Sequence, residues 1–345
     1  MFKIGIVGGT GYTGVELLRL LAVRNDISIS VLTSRTEENK KISSVYPWLS
    51  FLGNKLFQYP KVDNLYQCDV VFFATPSGVA MEMAEPLVEE GVKIIDLSAD
   101  FRFKNIELWS STYKSEHCCP RLAKEAVYGL PEYFRNEIKG ARIVANPGCY
   151  PTATLLALFP LLNEGLISKD TVILDAKSGI SGAGRVARED LLFSENAENF
   201  RAYGADFHRH GPEILSQIKQ FSNELKNIVF VPHLLPLIRG IEVTAYLNLN
   251  KRLSSDELRI LYKKKYVADS MVIIEESGIH PQTRWVRGSN ICRIGIFTQN
   301  NNETIIISSV IDNLVKGAAG QAVQNLNVML GLDDNYGLQT IGFVP

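Results

Sequence analysis

The chain carries almost no net charge: its formal net charge is -1 at pH 7 over 345 residues. Without a basic or acidic excess it has no electrostatic reason to bind nucleic acid or an anionic membrane surface. It also has no apolar run near the length that crosses a bilayer, and its first residues read as a strand rather than a signal peptide. We therefore expect neither nucleic acid nor a membrane as partner, and a cytoplasmic location.

Cysteine is scarce as well. There are five cysteines, an odd number, and no pair has Cys-x-x-Cys spacing. Cys118 and Cys119 are adjacent, which suits neither an ordinary disulfide nor a zinc knuckle, so we predict a reducing compartment and no metal site. None of the 13 tyrosines is followed four residues later by a lysine. That absence argues against the tyrosine-based hydride chemistry of short-chain reductases.

The remaining composition is that of a globular protein, with 46% hydrophobic and 21% charged residues. A chain this long favours two domains. Residues 1–148 alternate short β runs with helical patterns, which predicts an α/β, Rossmann-type parallel sheet. Residues 149–312 carry longer alternating runs, which predict an α+β substrate and dimerisation domain with a mostly antiparallel sheet. A last helix over 313–330 is expected to join the first domain.

A glycine-rich turn follows the first predicted strand. Gly9, Gly11 and Gly14 match Gly-x-Gly-x-x-Gly at a strand-to-helix junction, where a helix N-terminus can meet a pyrophosphate. A merely tight strand-to-helix turn is the alternative. The motif predicts cofactor contacts at Gly8, Gly9, Thr10, Gly11, Tyr12, Thr13 and Gly14.

The end of the second predicted strand favours NADP(H) over NAD(H). NAD-preferring sites place an acidic residue there, whereas this chain has Ser34 and Arg35, which suit a 2′-phosphate. Arg35 could instead be a solvated loop residue. The turn Thr75, Pro76 and Ser77 ends the next parallel strand and is expected at the same edge, facing the cofactor.

Cys149 is the most informative single residue. It lies between a short buried strand and a helix, with Gly148 before it and Pro151 in the first helical turn. A thiol there meets unpaired backbone N–H groups and the positive end of a helix dipole, which favour the thiolate. A buried core cysteine is the alternative, and we favour the nucleophile.

Two histidines could handle its proton. His208 and His210 flank Arg209 just before a predicted helix and could form an anion-binding acid/base site. No carboxylate or cysteine cluster completes a metal site around them. His233, between two prolines, could equally order a turn or touch substrate.

Two further segments could bind anions. Arg102 follows a parallel strand at the cleft edge and could hold phosphate, with an ion pair to Asp96 or Asp100 as the alternative. The glycine-rich loop over 177–185 could line the nicotinamide or phosphate pocket, or could be a plain flexible loop.

These segments together resemble the N-acetyl-gamma-glutamyl-phosphate reductase family, within the aspartate-semialdehyde dehydrogenase superfamily, nearly end to end. The matching segments are 8–14 with 16–17, 96–102 (Asp-Leu-Ser-Ala-Asp-Phe-Arg), 128–132, 146–152 (Asn-Pro-Gly-Cys-Tyr-Pro-Thr), 177–185, 208–214 (His-Arg-His-Gly-Pro-Glu-Ile), 232–234 with 239–241, 288–290 and 316–325.

The resemblance implies an NADPH-dependent, oligomeric enzyme of arginine biosynthesis, a homodimer or homotetramer. Cys149 would attack the acyl phosphate of N-acetyl-L-glutamyl 5-phosphate, and reduction of the thioester would give N-acetyl-L-glutamate 5-semialdehyde. One histidine would be the acid/base, with His210 favoured over His208. The remaining assignments are Asn146, Arg102, Glu213 and Ser181 for substrate, and Ser178, Gly179, Gly182 and Asn313 for cofactor.

Three alternatives stay open at this point. A paralogue that reduces a carrier-protein-linked aminoadipate 6-phosphate in lysine biosynthesis would share nearly every motif. Aspartate-semialdehyde dehydrogenase is more distant and is disfavoured by the segment 208–214. A non-catalytic NADP-binding redox sensor would need a resolving cysteine, which no pairing in the sequence suggests.

Overall fold

The structure is a computed structural model that describes residues 1–168, 171–222 and 225–343. The chain forms two compact units. The first unit is Met1–Pro147 with Ala318–Leu338, and the second is Gly148–Gly317 with the end of the chain from Gln339.

In chain order the strands are β1 Phe2–Val7, β2 Ile27–Thr33, β3 Val70–Phe73, β4 Lys93–Asp96, β5 Val127–Tyr128, β6 Ile143–Ala145, β7 Val172–Gly179, β8 Arg201–Ala202, β9 Ile228–Leu235, β10 Ile241–Asn248, β11 Val272–Ile274, β12 Cys292–Gln299 and β13 Thr304–Ile311. The α-helices are α1 Tyr12–Leu21, α2 Ile42–Val45, α3 Val62–Leu65, α4 Val79–Glu89, α5 Ile106–Tyr113, α6 Pro120–Glu125, α7 Pro131–Gly140, α8 Cys149–Asn163, α9 Phe193–Asn196, α10 His210–Ile218, α11 Ser255–Lys265, α12 Thr283–Val286 and α13 Gly320–Met329. Short 3-10 turns lie at Pro47–Leu52, Ile180–Ala183 and Glu189–Leu191, and a π-helical turn at Val315–Ala319.

A parallel sheet forms the centre of the first unit, as the alternating pattern predicts. Its strand order within the described residues is β2-β1-β3-β4-β6-β5, and every neighbouring pair is parallel. Val7 lies opposite Thr33 on one side and Phe73 on the other. The loops that follow β1, β2 and β3 therefore leave the sheet at one edge, which is where such folds bind ligands.

Helix α13 belongs to the first unit, although it lies near the C-terminus of the chain. Asn327 on this helix accepts a hydrogen bond from Arg24 at 2.6 Å. Asn325 donates to the carbonyl of Gly129 at 2.9 Å, just after β5. Both side chains are fully buried, so the C-terminal helix is part of this unit's polar interior.

The second unit is built on a mixed sheet with order β11-β12-β13-β10-β7-β9-β8. Its pairs are antiparallel except β11 with β12 and β7 with β9. The predicted α+β domain with a mostly antiparallel sheet is thereby confirmed. Helix α8 packs on one face of this sheet against β10 and β13, and is buried from Tyr150 to Leu162. A helix that is apolar all round is stable only inside a core.

The predicted single helix over 313–330 is wrong at its start. Residues Val315–Ala319 form a π-helical turn, and the α-helix begins at Gly320. The Asp312 carboxylate accepts from the backbone N–H groups of Leu314 and Val315 at 2.8 and 3.1 Å. The N–H of Gly317 reaches back five residues to the carbonyl of Asp312 at 2.9 Å. The hydrophobic periodicity of the sequence could not reveal this wider turn, because the turn depends on hydrogen bonds to the buried carboxylate of Asp312.

In the part of the chain that the structure describes, no helix combines the length and the apolar character that crossing a bilayer requires.

Candidate active site

The glycine-rich turn lies at the carboxyl edge of the first unit's sheet. A Cβ atom on Gly14 would come within 2.3 Å of the Gly8 carbonyl oxygen, so this position requires glycine for α1 to pack closely on the turn. A Cβ on Gly11 would find only that same oxygen, at 3.9 Å. The space over Gly11 is thus open, as close approach of a pyrophosphate requires. Tyr12 and Thr13 begin α1, so their N–H groups are among those that have no acceptor within the helix.

Ser34 and Arg35 lie beside this turn, at the end of β2. The hydroxyl of Ser34 is 3.3 Å from that of Thr10, which joins the two predicted cofactor loops. Ser34 is buried and Arg35 is exposed. Among the described residues Arg35 forms no ion pair. A free guanidinium at this edge can accept a phosphate as its partner.

The turn Thr75, Pro76 and Ser77 follows β3 at the same edge. Ser77 donates to the carbonyl of Ser98 at 3.2 Å. Asp100, which sequence reasoning missed, anchors the end of this turn, because its carboxylate accepts from the N–H groups of Gly78 at 2.9 and 3.0 Å and of Met81 at 3.1 Å. An internal carboxylate therefore already occupies the N-terminus of α4. Its only signal in the sequence was its place after a parallel strand.

Arg102 and Asn146 come together in the first unit, bound to backbone. The Arg102 guanidinium donates to the carbonyls of Asn146 at 2.8 Å and Leu97 at 3.1 Å, where β6 and β4 end. The Asn146 side chain donates to the Ala318 carbonyl at 3.2 Å and accepts from Asn325 at 3.0 Å. Both predicted phosphate ligands thus hold the strand ends in place.

Cys149 opens α8 in the second unit and is partly exposed. Its position as the first helical residue, preceded by Gly148 with extended φ/ψ, is the one predicted to favour a thiolate. Gly317 packs directly against it, because a Cβ at Gly317 would lie 2.8 Å from the Cβ of Cys149. The π-helical turn therefore fits closely against the thiol-bearing residue.

Helix α10 is held against the start of α8 by a buried carboxylate. Glu213 is fully buried and accepts from the N–H of Gly148 at 2.9 Å. His210 precedes Glu213 by three residues, so both lie on one face of α10. That face meets the N-terminus of α8, where Cys149 lies. The His210 ring centroid is 5.8 Å from that of Tyr150, the residue after Cys149.

His208 lies in an aromatic cluster next to His210. Its ring centroid is 4.9 Å from that of His210, 5.6 Å from Tyr203 and 5.5 Å from Phe230. Its Nδ1 accepts from the backbone N–H of His210 at 3.1 Å, so a neutral His208 carries its proton on Nε2. Burial, with the charge of Arg209 adding to it, lowers the pKa of His208 to about 4. Burial thus disfavours the charged form of His208, and the prediction that His210 is the acid/base stays a prediction.

Two tyrosine hydroxyls complete this cluster. Tyr150 and Tyr203 have their hydroxyl oxygens 3.2 Å apart. Burial is the main cause that raises the pKa of both phenols, that of Tyr203 to about 12. Both phenols therefore stay protonated and can donate hydrogen bonds.

The pKa of His208 predicts acid sensitivity of the fold. Between about pH 6.5 and pH 4 the unfolded chain protonates this histidine and the native chain does not, so stability falls as the pH falls through that window. We expect His208 to account for about 2 kcal/mol of stability lost between pH 7.5 and pH 5. Denaturant unfolding at both pH values should show this loss in the wild type and a smaller one in His208→Asn. Identical losses in the two proteins would contradict the assignment.

The predicted loop over 177–185 is wrong in its first three residues, because β7 extends to Gly179. The predicted residues at the end of this strand and in the turn after it form one hydrogen-bonded group with Asn313 in the second unit. Asn313 donates to the hydroxyl of Ser181 at 2.9 Å and accepts from the N–H of Gly240 at 2.8 Å. Ser178 is buried, and its hydroxyl lies where a Cβ on Gly182 would come within 2.9 Å of it. Gly179, the last residue of β7, bonds through its N–H to the Gly240 carbonyl at 2.9 Å. These contacts tie the group to Gly240 and Asn313.

A cavity of about 440 Å³ adjoins the aromatic cluster, and sequence reasoning missed most of its walls. His208 and Tyr203 line it together with three arginines and one aspartate: Arg188, Arg201, Arg209 and Asp190. Arg188 lies in a loop and Arg201 in the two-residue strand β8, neither with any motif spacing, so no sequence pattern could have selected them.

His233 does not join the two catalytic candidates. It lies on β9, where its Nδ1 is 3.3 Å from an oxygen of Asp175 and 3.2 Å from the Ala176 carbonyl. Within the described residues no cluster of three or more histidine, cysteine or carboxylate side chains could hold a metal ion.

Two family models match the chain. Residues 3–141 match the semialdehyde dehydrogenase NAD binding domain, and residues 149–313 match the semialdehyde dehydrogenase dimerisation domain. Each match lies within one of the two sequence halves that meet at Cys149.

Several curated proteins are similar over their full length. One is the N-acetyl-gamma-glutamyl-phosphate reductase of Thiobacillus denitrificans, 51% identical with 100% of both chains covered. Another is the enzyme of the same name from Nitrosospira multiformis, 50% identical with 100% of both chains covered.

Solved structures share the fold at low identity. Aspartate semialdehyde dehydrogenase II of Vibrio cholerae, complexed with ASA, matches with a TM-score of 0.73 and 16% identity over 96% of this chain and 98% of that one. Aspartate semialdehyde dehydrogenase of Candida albicans, solved with NADP, matches with a TM-score of 0.72 and 17% identity over the same shares. These two likenesses concern the fold alone.

Proposed function

The chain belongs to the N-acetyl-gamma-glutamyl-phosphate reductase family, and from this premise we propose that it is the NADPH-dependent reductase of N-acetyl-L-glutamyl 5-phosphate in arginine biosynthesis. The reaction releases phosphate and gives N-acetyl-L-glutamate 5-semialdehyde. The observation that carries the proposal is the junction of α8 and α10. There Glu213 accepts a hydrogen bond from the N–H of Gly148, the residue before Cys149, and His210 lies on the same helix as Glu213.

Cys149 is the proposed nucleophile. The N-terminus of α8 stabilises its thiolate, which attacks the acyl carbon, forms a thioester and expels phosphate. His210 takes the thiol proton and returns it to the substrate oxygen that becomes negative when the thioester is reduced to a thiohemiacetal. The thiohemiacetal then collapses to the aldehyde: its O–H proton returns to His210, the C–S bond breaks, and Cys149 leaves as the thiolate. His208 positions His210 by accepting its backbone N–H.

The residues at the edge of the first sheet fit a dinucleotide. Gly11 leaves open the space that a pyrophosphate needs, and the first-turn amides of α1 supply donors. NADPH, when bound, supplies the hydride that reduces the thioester. We propose that the remaining contacts come from the end of β7 (Ser178 and Gly179), the turn after it (Gly182), Asn313 after β13, and the assigned residues of the three edge loops. Those edge-loop residues are Gly8, Gly9, Thr10, Tyr12, Thr13, Gly14, Ser34, Arg35, Thr75, Pro76 and Ser77.

Arg35 is expected to select NADPH. We predict that Arg35→Ala raises the KM for NADPH by about 10- to 100-fold, because a charge-assisted hydrogen bond to the 2′-phosphate is lost. The KM for NADH should change little. Steady-state assays with both cofactors measure this.

Arg121→Ala is the matched control, because Arg121 is exposed in the same unit and pairs with Glu85. It should leave both KM values unchanged. Equal losses for NADPH and NADH in Arg35→Ala would show that Arg35 does not contact the 2′-phosphate.

The substrate contacts remain predictions. Because Arg102 and Asn146 have backbone partners, we propose that they fix the ends of β4 and β6 besides any contact with the substrate phosphate. Glu213 is proposed to act through Gly148, and Ser181 through its bond to Asn313.

Phosphate-dependent reduction of NADP⁺ by N-acetyl-L-glutamate 5-semialdehyde tests the function. We expect turnover with this aldehyde and a kcat/KM lower by a factor of at least about 10² with aspartate semialdehyde, because the latter lacks the acetamide and one methylene. Preference for a carrier-linked aminoadipate semialdehyde would support the lysine-pathway alternative. Thiol modification without any turnover would support the sensor.

The match to a dimerisation domain model indicates oligomer formation by the second unit. We propose a homodimer or homotetramer in which a second copy covers the open face of the mixed sheet. Ile173 on β7 and Val229 on β9 are each 45% exposed on that face, opposite the face that α8 covers. Residues 149–312 would then serve catalysis and oligomerisation, while 1–148 with 313–330 bind cofactor. The free cysteines fit a cytoplasmic location.

A further inference from the structure

The cavity beside His208 has a strong bias of charge. Three arginines line it, Arg188, Arg201 and Arg209, against one carboxylate, Asp190. All of its described walls belong to the second unit, so the cavity exists within that unit alone. Tyr203, Phe207 and Leu234 supply apolar surface between the charges. Such a cavity suits a small anion with an organic body.

Two of the three arginines are already engaged. Arg188 binds both oxygens of Asp190, with N–O distances of 2.9 and 2.6 Å. Arg201 donates to the Asp190 carbonyl at 2.8 Å and lies 3.5 Å from its carboxylate. Arg209 forms no ion pair within the described residues. Arg209 is therefore the guanidinium left to pair with an anion from solution.

The position of the cavity distinguishes between the anionic groups of the substrate. His208 lines it, but neither Cys149 nor His210 is among its described walls. The substrate phosphate is bonded to the carbon that Cys149 attacks, so it must lie next to the thiol. The free α-carboxylate lies at the other end of the carbon chain, away from the reacting carbon.

We propose that this cavity binds the α-carboxylate of the substrate and that Arg209 is the residue that determines specificity for it. The inference rests on the proposed function and names the part of the substrate that this site recognises. A planar guanidinium matches a carboxylate with two parallel hydrogen bonds. Because Arg209 immediately precedes His210, binding one end of the substrate there aligns the other end with the acid/base.

The test compares two substrates in two enzymes. The substrates are N-acetyl-L-glutamate 5-semialdehyde and its α-carboxamide, which differ only in the charge of that group, and the assay is phosphate-dependent NADP⁺ reduction by the full chain. Wild type should prefer the acid by about 10- to 100-fold in kcat/KM. Arg209→Gln should raise the KM for the acid by a similar factor and reduce the preference to within about threefold, while Arg209→Lys restores part of it.

Controls separate this role from a structural one. Arg252→Gln removes an exposed arginine that pairs with Glu303 on the surface of the same unit, and it should keep the wild-type preference. The KM for phosphate and the Kd for NADPH should stay within about twofold in Arg209→Gln, since the inference assigns neither ligand to this cavity.

The outcomes are distinct. If wild type is active but Arg209→Gln still prefers the acid, the carboxylate binds elsewhere and the inference is overturned while the function stands. Equal losses for the acid and the amide would show a structural role for Arg209 and also overturn it. No turnover by wild type with either aldehyde would overturn the proposed function and this inference together.

Discussion

Cys149→Ala is expected to lower turnover by more than about 10⁴-fold, because no other group can form the thioester. NADPH binding should be unchanged, since Cys149 is not among the proposed cofactor contacts. Steady-state assays measure the first effect, and quenching of NADPH fluorescence measures the second. Intact-mass spectrometry with acyl phosphate and no NADPH should detect an acyl adduct on wild type and none on the variant.

Cys118→Ala is the matched control. Cys118 is exposed as a residue and lies in the first unit. Partial desolvation of its thiol raises the pKa of Cys118, which disfavours a reactive thiolate. This variant should keep both activity and the acyl adduct. Turnover by Cys149→Ala near the wild-type rate would refute the proposed mechanism.

His210→Asn is expected to lower kcat by about 10²- to 10⁴-fold, the usual contribution of general acid–base catalysis. The KM should change little, because the role assigned to His210 is proton transfer rather than substrate binding. The pH profile of kcat should also lose the limb that reports ionisation of the acid/base. Rates measured between pH 5 and pH 9 give both effects.

His280→Asn serves as the control for this change. His280 is exposed and stacks on Phe297 at a centroid distance of 4.4 Å, within the second unit. It should leave kcat and its pH profile unchanged. A larger loss in His208→Asn than in His210→Asn would reverse the two roles, because His208 is expected to act only by positioning its neighbour.

The parallel sheet could be predicted because most of its strands, and the helices α1 and α4 between them, carry local patterns of their own. The glycine-rich turn is similarly local, since its motif spans only the end of β1 and the start of α1. The family resemblance could also be recognised from the sequence, and relatives about 50% identical over the whole chain confirm it. The antiparallel character of the second sheet followed from strand alternation, but its two parallel pairs did not.

The partners of the polar side chains could not be predicted. Asn146 binds Asn325, 179 residues away, and this pairing depends on how α13 returns to the first unit. Glu213 reaches Gly148 only because α10 packs against α8. The arginines of the cavity come from a loop, from the short strand β8 and from the residue before α10, so their convergence had no signal in the sequence.

By itself, the sequence determined the elements and the residue types that chemistry requires: a cysteine at a helix start, a histidine pair, and a glycine turn after a strand. Hydrophobic periodicity, turn residues and helix caps involve only residues close together in the chain, so they can be recognised from the sequence. Tertiary structure alone decided that Glu213 bonds to Gly148, that Asp100 caps α4, and that Arg209 forms no ion pair among the described residues. Those outcomes depend on burial and hydrogen-bond partners contributed by distant segments, and these exist only once the chain has packed.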